Sequence, residues 1–272
     1  MNSKKSSDST DTKLVDNSKF DFKTFVALLL ASLLASLATI PYASALFAQK
    51  TFDSLPMSQM LIGGLFNFLL LTLPLASLGL RLGSRIGLGA PEIEAIINKR
   101  PRNQRHLQSS ILPAIVLGTV GGIFLQVVGI IYKPYMPPEL TQIEPPGFIP
   151  ALLASFGAGV NEEIWLRLGV MTCLVWLGSV LMRQPKPGKT IMWSANVFAA
   201  LAFGMLHLPQ TAIFAGGLTL SVTILVLSLN GFVGVIFGWL YWRHGLLAAM
   251  IAHFSTDVVI HVLPALSLTA AN

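Results

Sequence analysis

Long stretches without a charged side chain constrain this sequence more than any other feature. From Thr190 to Trp242 the chain contains no Lys, Arg, Asp or Glu. Apolar runs of about 18 residues or more are typical of helices that cross a lipid bilayer. The chain has 272 residues, of which 53% are hydrophobic and 11% charged, so little of it remains for a large soluble domain. We therefore predict an all-α fold, a polytopic transmembrane helix bundle of about eight helices.

The apolar runs and the polar stretches between them divide the chain into parts. Residues 1–23 are rich in Ser, Asp, Lys and Thr, a composition typical of disordered segments, and we expect a disordered tail. Residues 24–132 are predicted to form three N-terminal transmembrane helices. The remaining helices begin near residue 148, with breaks expected at Leu208-Pro209-Gln210 and Asn230-Gly231, because such residues favour turns.

Positive residues between the apolar runs predict how the chain is oriented. The tail and residues 81–105 and 183–189 are rich in Lys and Arg, whereas residues 133–146 are net acidic. Because cytoplasmic loops carry an excess of positive charge, we predict a multi-pass integral membrane protein with a cytoplasmic N-terminus. The net charge of +6 is explained by these loops. Membrane lipid is therefore an expected partner, and nucleic acid is not.

Three charged side chains interrupt the apolar sequence at Glu162, Glu163 and Arg167. Charges at bilayer depth cost roughly 3 kcal/mol or more each and are usually functional. On a helix, Glu163 and Arg167 lie four residues apart in the order that favours an ion pair. Glu162 is rotated by about 100° from Glu163 and has no such partner. We expect Glu163 and Arg167 to satisfy each other, which leaves Glu162 free for chemistry; a purely structural charge cluster is the alternative.

Two further polar groups lie in the apolar half of the chain. Phe203 places an aromatic ring one turn before His207. In the last helix His253, Asp257 and His261 follow one another at spacings of four, so they share one helix face. Each group alone is more typical of helix packing. Together with an unpaired glutamate in the same bundle, they indicate a catalytic pocket.

The three motifs together resemble those of a known family. They are Glu-Glu-x-x-x-Arg (162–167), Phe-x-x-x-His (203–207) and His-x-x-x-Asp (253–257). Their order and intervals are similar to the signatures of the CAAX prenyl endopeptidase and bacteriocin-processing family, also called Abi or type II CAAX protease. The resemblance covers residues 145–264, which we predict to be a catalytic membrane domain of this type.

The resemblance implies an intramembrane endopeptidase that acts on a peptide or a prenylated protein. It also implies a role for each motif residue. A water would be activated by Glu162 and His207, the oxyanion supported by His253 and Asp257, and the site held together by Glu163, Arg167 and Phe203.

Two positions depart from the family pattern. The third motif usually ends in Asn, which always donates a hydrogen bond, whereas Asp257 donates only when protonated and otherwise orients His253. An aromatic residue often stands directly before the Arg, but here Leu166 takes that place and Trp165 precedes it. Both departures bear on the substrate more than on the family.

Other functions remain open at the level of sequence. We expect no cofactor, although Glu162, His207 and His253 could instead bind zinc, since carboxylate and imidazole are zinc ligands. Activity after chelation would separate these two cases. Cys173 is the only cysteine, which excludes a multi-cysteine metal site. A non-catalytic membrane scaffold or bacteriocin-immunity-type protein is the main alternative, and a transporter is disfavoured because no inverted repeat is visible.

Overall fold

The protein is a bundle of helices. The computed structural model describes residues 20–51, 56–99 and 104–271, and within these ranges it contains helices and no strand. The helices are α1 (Phe22–Thr51), α2 (Met57–Ile86), α3 (Pro91–Ile97), α4 (Gln104–Tyr132), α5 (Pro138–Thr141), α6 (Phe148–Leu181), α7 (Lys189–Ala215), α8 (Leu220–His244) and α9 (residues 246–271). All except α3 and α5, seven in the described part of the chain, are long and apolar enough to cross a membrane. The predicted all-α multi-pass membrane bundle is confirmed.

The number of spans is seven in the described residues, because two of the expected breaks do not occur. Helix α7 continues through Pro209, and α8 continues through Asn230 and Gly231. In an apolar environment a break in a helix leaves backbone N–H and C=O groups without hydrogen-bond partners. Because this is costly, a continuous helix is favoured over a turn. The chain turns instead at Gly216 and Gly217, where φ is 68° and 139°, values that suit glycine.

Helix α1 begins two residues before the predicted first span, and Asp21 explains this start. Its carboxylate accepts hydrogen bonds from the backbone N–H groups of Lys23 and Thr24 at 3.1 and 3.2 Å, which otherwise lack a partner in the first turn. Burial alone would raise the pKa of Asp21, but hydrogen bonds from Thr24, Asn98 and Lys23 outweigh it and lower the pKa. The rest of the predicted tail, up to residue 19, lies outside the described residues.

Three helices contain a wide π-helical stretch, which the sequence analysis did not predict. These stretches are Phe68–Thr72 in α2, Ile164–Met171 in α6 and Val258–Val262 in α9. The π-helix is rare and occurs frequently at functional sites. In α6 it begins directly after Glu162 and Glu163, so the helix changes its winding at the charged stretch.

Glycines allow two helix pairs to approach backbone to backbone. A Cβ atom at Gly118 of α4 would lie 2.2 Å from the carbonyl oxygen of Ala252 in α9, next to His253. A Cβ atom at Gly79 of α2 would lie 2.1 Å from the carbonyl oxygen of Leu168 in α6. Small residues at such crossings are common in membrane proteins, because they permit close packing of helices.

The crossing of α4 and α9 provides a test of this packing. Gly118→Ala is expected to destabilise the protein by about 1–3 kcal/mol, because the added methyl group must push α4 and α9 apart. Gly129→Ala, on the same helix, meets nothing within 4 Å and serves as the matched control. Thermal unfolding in detergent should show a lower midpoint for Gly118→Ala only; equal midpoints for the two variants would contradict the close crossing.

Candidate active site

One carboxylate oxygen joins the first and third motifs. Glu163 Oε1 accepts a hydrogen bond from Arg167 Nη1 at 3.0 Å and lies 2.8 Å from His253 Nδ1. The side chains of Glu163 and Arg167 are completely buried. Because an ionised carboxylate only accepts hydrogen bonds, His253 Nδ1 is the donor in this contact. The predicted pairing of Glu163 with Arg167 is confirmed, and the same carboxylate fixes the orientation of His253.

Arg167 is also held by two aromatic rings and a backbone carbonyl. Its guanidinium carbon lies 4.8 Å from the ring centre of Phe203 and 5.3 Å from that of Phe237. Its Nη2 donates to the carbonyl oxygen of Gly234 at 2.9 Å. Phe203, predicted to support the site, therefore contacts the arginine directly. A cation over aromatic faces in a dry environment gains about 2 kcal/mol or more, which helps to offset the cost of burying this charge.

The imidazole of His253 lies between an aromatic ring and two carboxyl groups. Phe237 stacks on the ring, with 4.8 Å between ring centres and an angle of 17°. Nε2 is 3.9 Å from Glu162 Oε2 and 3.7 Å from Asp257 Oδ2. Both separations exceed a hydrogen bond and leave Nε2 available to a third group.

Glu162 is the first-motif carboxylate that lines the cavity. Its Oε2 is buried and, among the residues that the structure describes, makes no hydrogen bond. The side chain is nevertheless 24% exposed, because it lines a cavity. Since a buried polar group without a partner costs about 1–3 kcal/mol, such a group needs an explanation. A water or substrate atom in the cavity would supply the missing contact.

The second motif fixes the tautomer of His207. Nδ1 of this residue lies 2.9 Å from the carbonyl oxygen of Phe203, one turn earlier. A backbone carbonyl only accepts hydrogen bonds, so Nδ1 carries the proton and Nε2 of the neutral ring keeps its lone pair. The side chain lines the same cavity as Glu162, with the ring of Phe203 at 4.8 Å between centres.

All four residues predicted to be catalytic border one cavity of about 980 Å³. Helix α6 contributes Glu162, α7 contributes His207, and α9 contributes His253 and Asp257. The three motifs, separated by up to about ninety residues in sequence, therefore meet at one place. A cavity with apolar walls and a few converging polar groups is the usual form of a ligand or active site.

Several contributors to this cavity were missed in the sequence analysis. Phe237 and Tyr42 sit in apolar runs, where nothing distinguishes them from ordinary packing residues. The hydroxyl group of Tyr42 lies 3.2 Å from His261 Nδ1, and both residues line the cavity. His261 was noticed on the same helix face as His253, but no partner for it could be identified from sequence.

A polar network that reaches the cavity wall joins α1 and α2 to α6. Asn161, directly before Glu162, accepts a hydrogen bond from Ser32 at 2.6 Å. Ser32 contacts Thr72 at 3.0 Å, and Trp165 Nε1 donates to the same Thr72 hydroxyl at 2.8 Å. Helices outside the three motifs therefore position the part of α6 that carries Glu162.

The described residues contain no group of three or more His, Cys, Asp or Glu side chains arranged to hold a metal ion. His253 directs Nδ1 to Glu163, and its Nε2 is 3.9 Å from Glu162. A histidine that binds zinc usually donates its other ring N–H to a carboxylate or a carbonyl, as His253 and His207 do here, so zinc bound by Glu162, His207 and His253 stays an alternative prediction. The expectation of a site without a cofactor stays a prediction.

Comparison with known protein families gives a match in the second half of the chain. Residues 144–259 match the Rce1-like family of type II CAAX prenyl endopeptidases. The match confirms the resemblance that the motifs predicted, and it covers all three of them. It supports a membrane protease in this Rce1-like segment. No curated protein and no solved structure matches the chain.

The buried ion pair leads to a prediction about stability. Arg167→Ala is expected to destabilise the protein by about 3–5 kcal/mol, because it leaves Glu163 as an unpaired buried charge. Lys186→Ala, which removes an exposed cation, is the control and should behave like the wild type. The amount of folded protein in detergent and its thermal midpoint measure the effect; an Arg167→Ala protein as stable as the control would contradict this role.

Proposed function

We propose that this protein is an intramembrane endopeptidase of the CAAX-processing type, which hydrolyses a peptide bond with a water activated by Glu162 and His207. The observation that carries this proposal is the position of Glu162. Its carboxylate has an oxygen without a hydrogen-bond partner in the described residues, at the wall of a cavity that also contains His207, His253 and Asp257. The Rce1-like match supports the same reaction class.

Glu162 and His207 can both accept a proton from water. The carboxylate has a free oxygen, and the lone pair on His207 Nε2 remains available because Nδ1 donates to Phe203. A water between them would lose a proton as it attacks the substrate carbonyl carbon. The protonated base would then pass that proton to the leaving amine, which completes the hydrolysis. General base catalysis of this kind contributes about 10²–10⁴-fold to a rate.

The oxyanion is proposed to be stabilised by His253 and Asp257. Since Nδ1 of His253 donates to Glu163, a second donor on this ring requires a proton on Nε2 as well. The carboxyl groups of Glu162 and Asp257, at 3.9 and 3.7 Å, face that nitrogen. The imidazolium form of His253, with a proton on Nε2, and a protonated Asp257 would provide two hydrogen-bond donors to a developing negative charge. Such donors are the main requirement of an oxyanion site.

The substrate class is proposed from the family match and from the membrane-spanning helices around the site. The partners we propose are membrane lipid and a peptide or prenylated protein, with the N-terminus of the chain in the cytoplasm. The reaction is proposed to need no metal, since side chains of the protein supply both the base that accepts the proton and the donors to the oxyanion. A non-catalytic scaffold is not favoured, because a bundle that only holds a partner has no need for an unpaired carboxylate in a cavity.

Glu162→Gln tests the proposal most directly. The amide keeps the size of the side chain but cannot accept the proton of the water, so we expect cleavage to fall at least about 10²-fold. The thermal midpoint should not fall, because Glu162 Oε2 has no hydrogen-bond partner in the described residues and the amide is the same size as the carboxylate. Glu139→Gln, an exposed glutamate in α5, is the control in a peptide-cleavage assay. Retained activity in Glu162→Gln would contradict the proposed base.

Asp257→Asn separates two roles for this residue. His253 is already oriented by Glu163 and Phe237, and Asp257 is 3.7 Å from its Nε2. We therefore expect Asp257 to act as a protonated donor, which asparagine replaces at every pH. The variant should keep its activity and lose the decline in rate that the wild type shows at high pH, where the acid ionises. A folded variant about 10²-fold less active at all pH values would instead show that Asp257 is ionised and orients His253.

A further inference from the structure

The two ends of the bundle differ in how many Lys and Arg residues they carry. The basic end carries most of the described cations that lie outside the site: Lys23, Arg81, Arg85, Lys99, Arg183, Lys186, Lys189 and Arg243. At the opposite end, formed by the C-terminal part of α1, residues 133–147 and residues 215–219, the described cations are Lys50 and Lys133. Glu139 and Glu144 accompany them. Cytoplasmic loops are rich in Lys and Arg, so this distribution places the basic end in the cytoplasm.

Contacts within each end confirm that these segments lie together. At the basic end Arg81 lies over the ring of Phe20 at 5.0 Å, and the backbone N–H of Leu246 donates to the carbonyl oxygen of Gly89 at 3.2 Å. At the opposite end Gln49 exchanges two hydrogen bonds with the backbone of Glu144, at 3.0 and 2.9 Å. Lys50 donates to the carbonyl oxygen of Phe214 at 3.3 Å.

The cavity extends from the site towards the opposite end. Its wall includes Phe47 of α1, Ile143 of the 133–147 segment and Phe214 of α7, all close to that end. The lining residues that are themselves exposed lie on the same side of the site. They are Gly63, Asn67, Leu206 and Gln210, in the halves of α2 and α7 nearest to the opposite end.

Dense packing closes the site on the basic side. Met171, Leu240, Tyr241 and Leu246, which lie between the site and the basic end on α6, α8 and α9, are at most 1% exposed. The hydroxyl group of Tyr241 also bonds to that of Thr172 at 2.7 Å. None of these residues lines the cavity. A substrate that came from the basic side would have to displace this core.

We infer that the site is reached from the non-cytoplasmic side of the membrane, and that its substrate is a polypeptide segment displayed on that side. That the cavity receives a substrate rests on the proposed function. The direction of access rests only on the cavity, the packed core and the distribution of charge. The apolar wall towards α2 and α7 suits a segment that arrives along the membrane.

Accessibility of single cysteines tests this direction without any cleavage. Cys173→Ser removes the only cysteine, and three variants are then made in that background. Asn230→Cys reports on the cavity, Glu139→Cys on the opposite end and Lys186→Cys on the basic end. Intact cells that carry the protein in the plasma membrane are treated with a charged, membrane-impermeant thiol reagent, before and after permeabilisation.

We expect Asn230→Cys and Glu139→Cys to react fully in intact cells, and Lys186→Cys to react only after permeabilisation. Reaction of Asn230→Cys only after permeabilisation, or no reaction of it at all, would overturn the inferred access. Reaction of Lys186→Cys in intact cells would overturn the orientation on which the inference depends. Because labelling requires no activity, these outcomes are independent of whether Glu162→Gln abolishes cleavage.

Discussion

A single buried oxygen, Oε1 of Glu163, determines how the rest of the site is built. It binds Arg167 on its own helix and His253 on α9, and Arg167 in turn contacts α7 and α8 through Phe203 and Gly234. Four helices therefore converge on one ion pair that no solvent reaches. Removing either charge would leave the other exposed to an apolar interior, so assembly of the site and folding of the bundle depend on the same contact.

The sequence predicted the parts of the site that depend on spacing within a helix. Glu163 and Arg167 pair at four residues, and Phe203 precedes His207 by one turn, so both relations could be obtained from helical geometry alone. That Glu162, His207 and His253 share one cavity depends on how helices pack, and the sequence indicated it only through the presence of these polar groups in one apolar bundle and through the family resemblance. Phe237 and Tyr42 could not be found, because aromatic residues are common throughout membrane helices whether or not they contact a site.

Two helices continue through residues that locally favour turns. Proline at 209 and Asn-Gly at 230–231 favour turns in water, where freed backbone groups find solvent. In the bundle α7 and α8 continue through them, and the amide of Asn230 bonds back to the carbonyl oxygen of Val226 at 2.9 Å. The three membrane-length helices described before residue 145 carry no family motif, yet α1 and α2 supply Tyr42, Ser32 and Thr72 to the site. Sequence motifs thus indicate the candidate catalytic residues more readily than the other residues that surround the site.

The π-helical stretches have a consequence for how the length of this chain can vary. A π turn accommodates one residue more than an α turn, so a helix that contains one can lose a residue by rewinding locally. In α6 a deletion within Ile164–Met171 can therefore be absorbed while the segment after it keeps its face, whereas a deletion in a purely α-helical part would turn that segment by about 100°. Homologous helices with one residue fewer in this stretch can present the same face towards α2 and α7. The number of residues between the first motif and the end of α6 can thus vary by one without a change in how the helix packs.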